Sequence, residues 1–378
     1  MNSTKEYLSQ KARQLTPYVA GLQPQEAGWV KLNTNESPCP PSPKVLEALG
    51  TVDITRLRLY PDGNSGKLRA AIAEDLGVGP ENIFCGNGSD EVLALAFQAF
   101  YSGKENVLTP DISYGFYPVW GKMFDAGLRQ VPLNDDFSLN PEDYKDSNGV
   151  IIANPNAPTS LALGLLDVEK ILRQNPAGVV LVDEAYIDFA DVESAASLLA
   201  TGQEAAPQNQ SVGTSNQHKY ANLLIVRTFS KSHALAGLRV GYAIGHPCLI
   251  DALERVKDAF NSYPLDMLAQ TAAATAIQDR PYLEQTIKAV NHTRDNTAAR
   301  LREIGYRVLP SQTNFILMQT LAAEDLYNHL LGHKILARYW GTPRLKNCLR
   351  VSIGTNSDME AFLQCVQEFT SAKPTKPK

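Results

Sequence analysis

The chain has few of the features that mark secreted, metal-bound or membrane proteins. Its five cysteines (Cys39, Cys85, Cys248, Cys348, Cys365) are odd in number, scattered and without a CxxC pair. That argues against a disulfide framework and against a zinc site, and suits a reducing, cytoplasmic compartment. No stretch of about 18 uninterrupted apolar residues is present, so no membrane span is expected. The opening segment, residues 1–15, lacks the apolar core of a signal peptide and reads as a polar helix. Net charge is only -5, which points to neither a nucleic-acid partner nor an anionic membrane. No internal repeat is evident. Six histidines are present, and two of them, His329 and His333, stand at i, i+4 spacing. With no third ligand evident in sequence and Gly332 weakening the helix, they are expected to be ordinary surface or core histidines, with no metal.

What the 378 residues do contain is an alternation of short apolar runs with helical patterns, with room for one large and one small domain. The runs are 82–85, 106–109, 149–153, 178–182, 223–226 and 240–244. They are near-continuously apolar, as in strands buried on both faces of a mostly parallel sheet. Residues 247–304 read as two long helices broken around Asn261–Pro264. Strand-like 307–309, 314–317 and 348–353 precede an amphipathic helix near 357–370, the pattern of a smaller α+β domain. Residues 201–221 are rich in Gln, Asn, Ser and Gly, with little to bury, and are expected to be a mobile loop. The tail, 373–378, is expected to fray.

The chemistry concentrates at the ends of the apolar runs. Thr228, Ser230, Lys231 and Arg239 follow 223–226. A lysine amine with a reference pKa of roughly 10.4 is a poor nucleophile until burial or neighbouring cations lower that value, whereupon it can form a Schiff base with an aldehyde. Hydroxyls and an arginine beside it suit a phosphate, and an aldehyde bearing a phosphate points to pyridoxal phosphate. Asp183 and Tyr186 follow 178–182, at the strand edge where α/β sheets bind ligands. There a carboxylate can keep a pyridinium nitrogen protonated. A Walker B aspartate is the rival reading, but Pro61–Leu68 lacks the first glycine and the final Ser/Thr of a Walker A loop. Gly88, Ser89 and Asp90 turn from 82–85 into a helical pattern and offer free amides to an anion. Ser113, Tyr114 and Tyr117 follow 106–109, where an aromatic can stack on a ring. Asn154 to Thr159 form a proline-bounded turn.

Together these segments resemble the fold-type I pyridoxal-phosphate aminotransferases, most closely the histidinol-phosphate aminotransferase family. The resemblance runs from Leu15–Tyr18 to Leu349–Gly354 and rests on Asn33–Pro38, Arg58–Pro61, and Asp183–Tyr186 with Thr228–Gly241. It implies an α/β fold: an N-terminal arm (1–35), a large cofactor-binding domain (36–255) with a mostly parallel sheet between helices, and a small α+β domain (256–372). It implies that Lys231 holds the cofactor and later moves the substrate proton. Asp183 would pair with the ring nitrogen, Tyr186 with the phenolic oxygen, and Tyr114 would stack on the ring. Gly88, Ser89, Asp90, Thr228, Ser230 and Arg239 would cradle the phosphate, and Tyr60 would reach the phosphate of a homodimer partner. Tyr18, Asn35, Arg338 and Arg350 would bind the substrate's anionic group.

Two departures stand out. The family commonly carries Asn-Asn-Pro-Thr-Gly, whereas this chain has Ala157 at the second Asn and Ser160 at the Gly. Asn156, a water, or Tyr186 alone would then serve the phenolic oxygen. The polar segment 201–221 also looks longer than the family norm. The implied reaction is L-histidinol phosphate plus 2-oxoglutarate giving imidazole acetol phosphate plus glutamate. An aromatic aminotransferase and a phosphothreonine decarboxylase or lyase share much of the pattern. A cofactor-binding regulator would need a DNA-binding head, and no helix-turn-helix pattern precedes residue 30.

Overall fold

A computed structural model describes residues 7–19, 21–199 and 219–372. Strand β1 (Val30–Lys31) lies apart from the main sheet. The main sheet has seven strands: β2 (Ile83–Asn87), β3 (Val107–Pro110), β4 (Leu128–Val131), β5 (Gly149–Ala153), β6 (Val179–Asp183), β7 (Leu223–Thr228) and β8 (Val240–Gly245). Their order is β2-β8-β7-β6-β5-β3-β4, and β8 alone runs antiparallel to its neighbours. The six expected runs are all strands. The seventh, β4, carries no continuous apolar signal, because Leu128–Val131 has Arg129 and Gln130 exposed at the sheet edge.

The central strands are buried on both faces because apolar helices cover each. Ile83, Val150, Val180, Leu223 and Ile225 face one core cluster. Phe84, Ile151, Leu181, Leu224 and Val226 alternate into the other, against Phe97, Tyr117 and Trp120.

The C-terminal region carries β9 (Arg307–Val308), β10 (Phe315–Gln319), β11 (Ile335–Leu336), β12 (Arg338–Tyr339) and β13 (Cys348–Ser352). Four of them form a sheet in the order β12-β13-β10-β9, while β11 pairs in parallel with β1 and so ties the N-terminal arm to this region. The helix expected near 357–370 spans Asn356–Ala372 and buries Met359, Phe362, Leu363 and Val366.

Two expectations need correction, and the packing prompts a different proposal for one domain boundary. Residues 247–304 form three helices, not two: Pro247–Phe260, Met267–Gln278 and Arg280–Glu303. The second break falls at Asp279, which leaves the helical region (φ -93°, ψ 59°) just before Arg280–Pro281 opens the next helix. Helix Met267–Gln278 buries Ala269, Ala272, Ala273 and Ala276 in the main sheet's core cluster. We therefore propose that the large domain extends to about residue 278, beyond the boundary expected at 255. Lastly, Tyr220 does not belong to a loop with little to bury: it is buried, and its hydroxyl donates to Glu169, which Lys219 and Arg173 also engage. Residues 201–218 of that segment and the tail 373–378 lie outside the described residues.

Candidate active site

The sheet brings distant segments to one edge. Asp183 closes β6, Thr228 closes β7, and the helix that follows β2 directly, Gly88–Ala96, opens with Gly88–Asp90. All three lie at the carboxyl ends of their strands, where α/β sheets place ligands. A cavity opens there, where α/β sheets gather the ends of their strands. It is lined by Ser89, Asp90, Tyr114, Asp183, Tyr186, Thr228, Ser230, Lys231 and Arg239, with Ala153, Pro155, Ala157 and Ala185. Nine of the residues singled out in the sequence therefore meet around one space.

Lys231 projects its amine to the backbone carbonyl of Thr34, with Nζ 3.2 Å away, and lies 5.8 Å from the centre of the Tyr186 ring. The Thr228 hydroxyl accepts from the Ser230 amide at 3.1 Å and so shapes the turn that presents the lysine. Opposite, Gly88 adopts φ 77°, in the left-handed region glycine favours, and a Cβ there would lie 2.6 Å from Arg239 Nη2. A Cβ on Gly241 would sit 2.2 Å from the Ser89 amide nitrogen, so β8 can approach this helix start only through glycine. Arg239 donates to Asp90 at 3.2 Å, and Tyr114 donates to the other oxygen of Asp90 at 2.7 Å. Burial and then Asp90 push the Tyr114 hydroxyl well above its ordinary pKa, so it stays a neutral donor.

Asp183 is buried, and burial pushes its carboxyl up to about 6, against the lowering effect of a 2.9 Å hydrogen bond donated by Tyr117. Among the described residues no salt bridge engages this carboxylate; burying it is costly, and a protonated pyridine nitrogen is the kind of partner that offsets that cost. With a lysine amine, two hydroxyls, helix-turn amides and an arginine around the same space, the donor set fits pyridoxal phosphate. In sequence Tyr117 is only part of an aromatic cluster. Its partner is 66 residues away, and nothing local announces the pairing.

Two residues fall elsewhere than expected. The side chain of Asn156 does not line this cavity. Its oxygen accepts from Ser113 at 2.7 Å, and its nitrogen donates to the Ile112 carbonyl and Thr159 at 2.9 Å, so the amide is fully used in holding the turn. Ala157 faces the cavity instead and offers no polar group. Asn35, expected to touch substrate, donates to the Tyr186 hydroxyl at 2.9 Å and accepts from Ser352 at 2.8 Å. It sits in the left-handed region, with φ 56°, and is pinned further by Asn314, which donates to its carbonyl at 3.0 Å. Its side-chain amide is thus engaged by Tyr186 and Ser352.

A second cavity shares Tyr114, Ala157 and Tyr186 with the first, and adds Tyr18, Trp340, Arg344 and Arg350. Tyr18 stacks on Phe116 with ring centres 4.3 Å apart. The Arg350 guanidinium lies between Phe315 and Trp340, 5.2 and 5.4 Å from their centres, and donates through Nη2 to the Asn33 carbonyl at 2.8 Å. Its Nε is buried without a hydrogen-bond partner, and among the described residues no carboxylate pairs with it. Burial, with a smaller push from Arg338, pulls its pKa below the usual arginine value, while Tyr186 and Tyr18 oppose that fall.

Arg338 stands directly across the β12–β13 pair from Arg350, 5.5 Å from the centre of the Trp340 ring, and donates to the Val19 carbonyl at 3.0 Å. It does not line the cavity wall. Arg344, which no sequence motif marks, does line it, but its charge is committed to Asp111 at 2.7 Å and to two backbone carbonyls. Tyr60 lines neither cavity: it is 82% exposed and stacks on Tyr263 at 4.8 Å.

Residues 27–366 match the family model described as aminotransferase class I and II. Histidinol-phosphate aminotransferase 1 of Hydrogenovibrio crunogenus is 48% identical over 356 residues, covering 93% of this chain and 95% of the relative. The histidinol-phosphate aminotransferase of Brachyspira hyodysenteriae is 43% identical, covering 96% and 98%. Among solved structures, the histidinol-phosphate aminotransferase of Sinorhizobium meliloti in complex with pyridoxal-5'-phosphate superposes with a TM-score of 0.79 at 24% identity, covering 90% of this chain and 91% of that one, a likeness of fold. The chain belongs to the class I and II aminotransferases, pyridoxal-phosphate enzymes, on the branch whose curated relatives are named histidinol-phosphate aminotransferases.

Proposed function

We propose that this protein transfers the amino group of L-histidinol phosphate to 2-oxoglutarate, yielding imidazole acetol phosphate and glutamate. The observation that carries the substrate reading is Arg350, a buried guanidinium with an unpartnered Nε facing a cavity that adjoins the cofactor site. One cationic group there can take the donor's phosphate in one half-reaction and a carboxylate of glutamate in the other. The full-length identity of 43–48% to the curated relatives supports the same reading.

Pyridoxal phosphate, when bound, supplies an aldehyde for attachment and a ring that accepts the electron pair left as the substrate's α-proton departs. The chain's own residues do the rest. Lys231 Nζ, poised beside the Thr34 carbonyl, would take that proton and deliver it across the cofactor face. Asp183 would hold negative charge at the ring nitrogen, with Tyr117 fixing the orientation of its carboxylate. Because Asn35 donates to the Tyr186 oxygen, the tyrosine's own proton stays free to be donated to the phenolic oxygen. That arrangement supports Tyr186 serving this oxygen without an asparagine at position 157. Ser89 and Asp90 amides, Ser230 and Arg239 would hold the cofactor phosphate. Tyr60, exposed and absent from the lining of its own chain's cavities, suits a role in the site of a second copy, which makes the active unit a homodimer. Its place of action on this reading is the cytoplasm.

The test is a donor panel. Holoenzyme with 2-oxoglutarate and, in turn, L-histidinol phosphate, phenylalanine, tyrosine and phosphothreonine should favour histidinol phosphate in kcat/KM. Release of carbon dioxide from phosphothreonine, or a preference for an aromatic donor, would assign the chain to one of the alternatives instead.

A further inference from the structure

Helix Ala323–Gly332 packs against the C-terminal helix Asn356–Ala372 on the outer side of the small sheet. Spacing of four residues puts His329 at the end of the first helix and His333 just beyond it, on one face. The missing third group comes from the other helix: Cys365, buried, lies with its sulfur among the two imidazoles. One ring nitrogen from each histidine and the Cys365 Sγ lie within 4.8 Å of one another. None of the three lines either cavity of the candidate active site.

We propose that His329, His333 and Cys365 bind a borderline-soft divalent metal ion, with Zn²⁺ the fitting species and water in the fourth position. Three features favour a ligand set over a chance cluster. The Nε2 atom of His329 is buried and has no hydrogen-bond partner among the described residues. His333 Nδ1 lies 2.8 Å from the His329 carbonyl oxygen, which can only accept, so the proton sits on Nδ1 and the Nε2 lone pair is free. A backbone carbonyl fixing the tautomer in this way is a common second contact of a metal-bound imidazole. The N₂S donor set excludes magnesium and calcium, which take oxygen ligands, and suits zinc or cobalt. Bond lengths of about 2.0–2.1 Å to nitrogen and about 2.3 Å to sulfur require ligand atoms roughly 3.3–3.7 Å apart in a tetrahedral site. The present spread of up to 4.8 Å would have to contract as the ion binds. The ion would clip the two helices together, away from the chemistry.

The experiment uses holoenzyme stripped of metal with a chelator. Calorimetric titration with Zn²⁺ should show one ion per chain, and Co²⁺ should give the visible absorption of a four-coordinate thiolate complex. His333→Ala, at an exposed position that folding tolerates, should weaken Zn²⁺ at least about 100-fold. Cys365→Ser should abolish the cobalt–thiolate absorption, and transaminase turnover of both variants should match the parent. Zn²⁺ should raise the Tm of the parent but not of His333→Ala. No saturable binding to the parent, or binding of equal strength to His333→Ala, overturns the proposal.

Discussion

Replacing Arg350 by alanine should separate substrate binding from cofactor binding. The guanidinium is clamped between Phe315 and Trp340, so its direction is set before substrate arrives. Nη2 spends one of its two hydrogens on the Asn33 carbonyl, and Nε remains to engage an anion, with the second Nη2 hydrogen beside it. Removing a charge-assisted, two-point ion pair from a buried site costs about 2–4 kcal/mol, or roughly 30- to 1000-fold in kcat/KM. The penalty should fall on both histidinol phosphate and glutamate, because one pocket serves both half-reactions. Arg350→Lys should recover part of it, since an ammonium keeps the charge but not the fork. Release of the Asn33 carbonyl should lower stability by about 1 kcal/mol, a small Tm shift that leaves the protein folded. Steady-state kinetics with each substrate varied separately, alongside the visible absorbance of the bound cofactor, give the readout. If kcat/KM stays within twofold of the parent for both substrates, the anion site lies elsewhere and the substrate assignment loses its physical basis.

Other perturbations follow from the same geometry. In cofactor-free protein the Asp183 carboxyl, pushed up to about 6 from an unfolded value of roughly 3.9, binds more protons folded than unfolded between those values. Its favourable contribution is therefore complete below about pH 4 and lost as pH rises through 6, a change of roughly 3 kcal/mol; Asp183→Asn should remove that slope from the apo Tm–pH profile, and an unchanged profile would refute it. Tyr117→Phe removes the hydrogen bond that holds the carboxylate, so it should raise the Asp183 pKa and cost about 1.5–3 kcal/mol in kcat/KM, with no defect if the contact is incidental. Gly241→Ala drives a Cβ onto the Ser89 amide and should weaken cofactor retention, measured by dialysis, well before it weakens substrate binding in whatever holoenzyme remains. Mixed dimers of Tyr60→Phe and Lys231→Ala chains should regain one sound site per dimer if Tyr60 serves the partner; impairment without recovery would place Tyr60 in its own chain's site, and an undiminished Tyr60→Phe homodimer would place it outside the site.

The site is legible where a run of apolar residues delivers polar ones directly to the sheet edge. Asp183, Thr228 and Lys231 need only that logic, since a buried strand fixes where its next residues emerge. What escapes is carried by side chains from separate elements. Tyr117 finds Asp183 through the turn of its helix, and Asn35 finds Tyr186 across 151 residues. His329 and His333 can be paired from spacing alone, but Cys365 reaches them only because two helices pack. Asn156 looks available because its neighbours are prolines, yet the turn it occupies spends its amide on Ser113 and Thr159. Helix Met267–Gln278 looks like part of the C-terminal region by position. Its alanines let it pack closely on helices Pro43–Gly50 and Gly66–Leu76, a matter of small side chains rather than of order along the chain.

The central claim is that Lys231 is the residue that holds the cofactor. Borohydride reduction of the yellow holoenzyme, followed by proteolysis and mass mapping, tests it in one step. The account predicts a single pyridoxyl-modified peptide carrying the label on Lys231, and no label in Lys231→Ala. A label on another lysine, or a parent protein that stays colourless and unlabelled after incubation with pyridoxal phosphate, would contradict it.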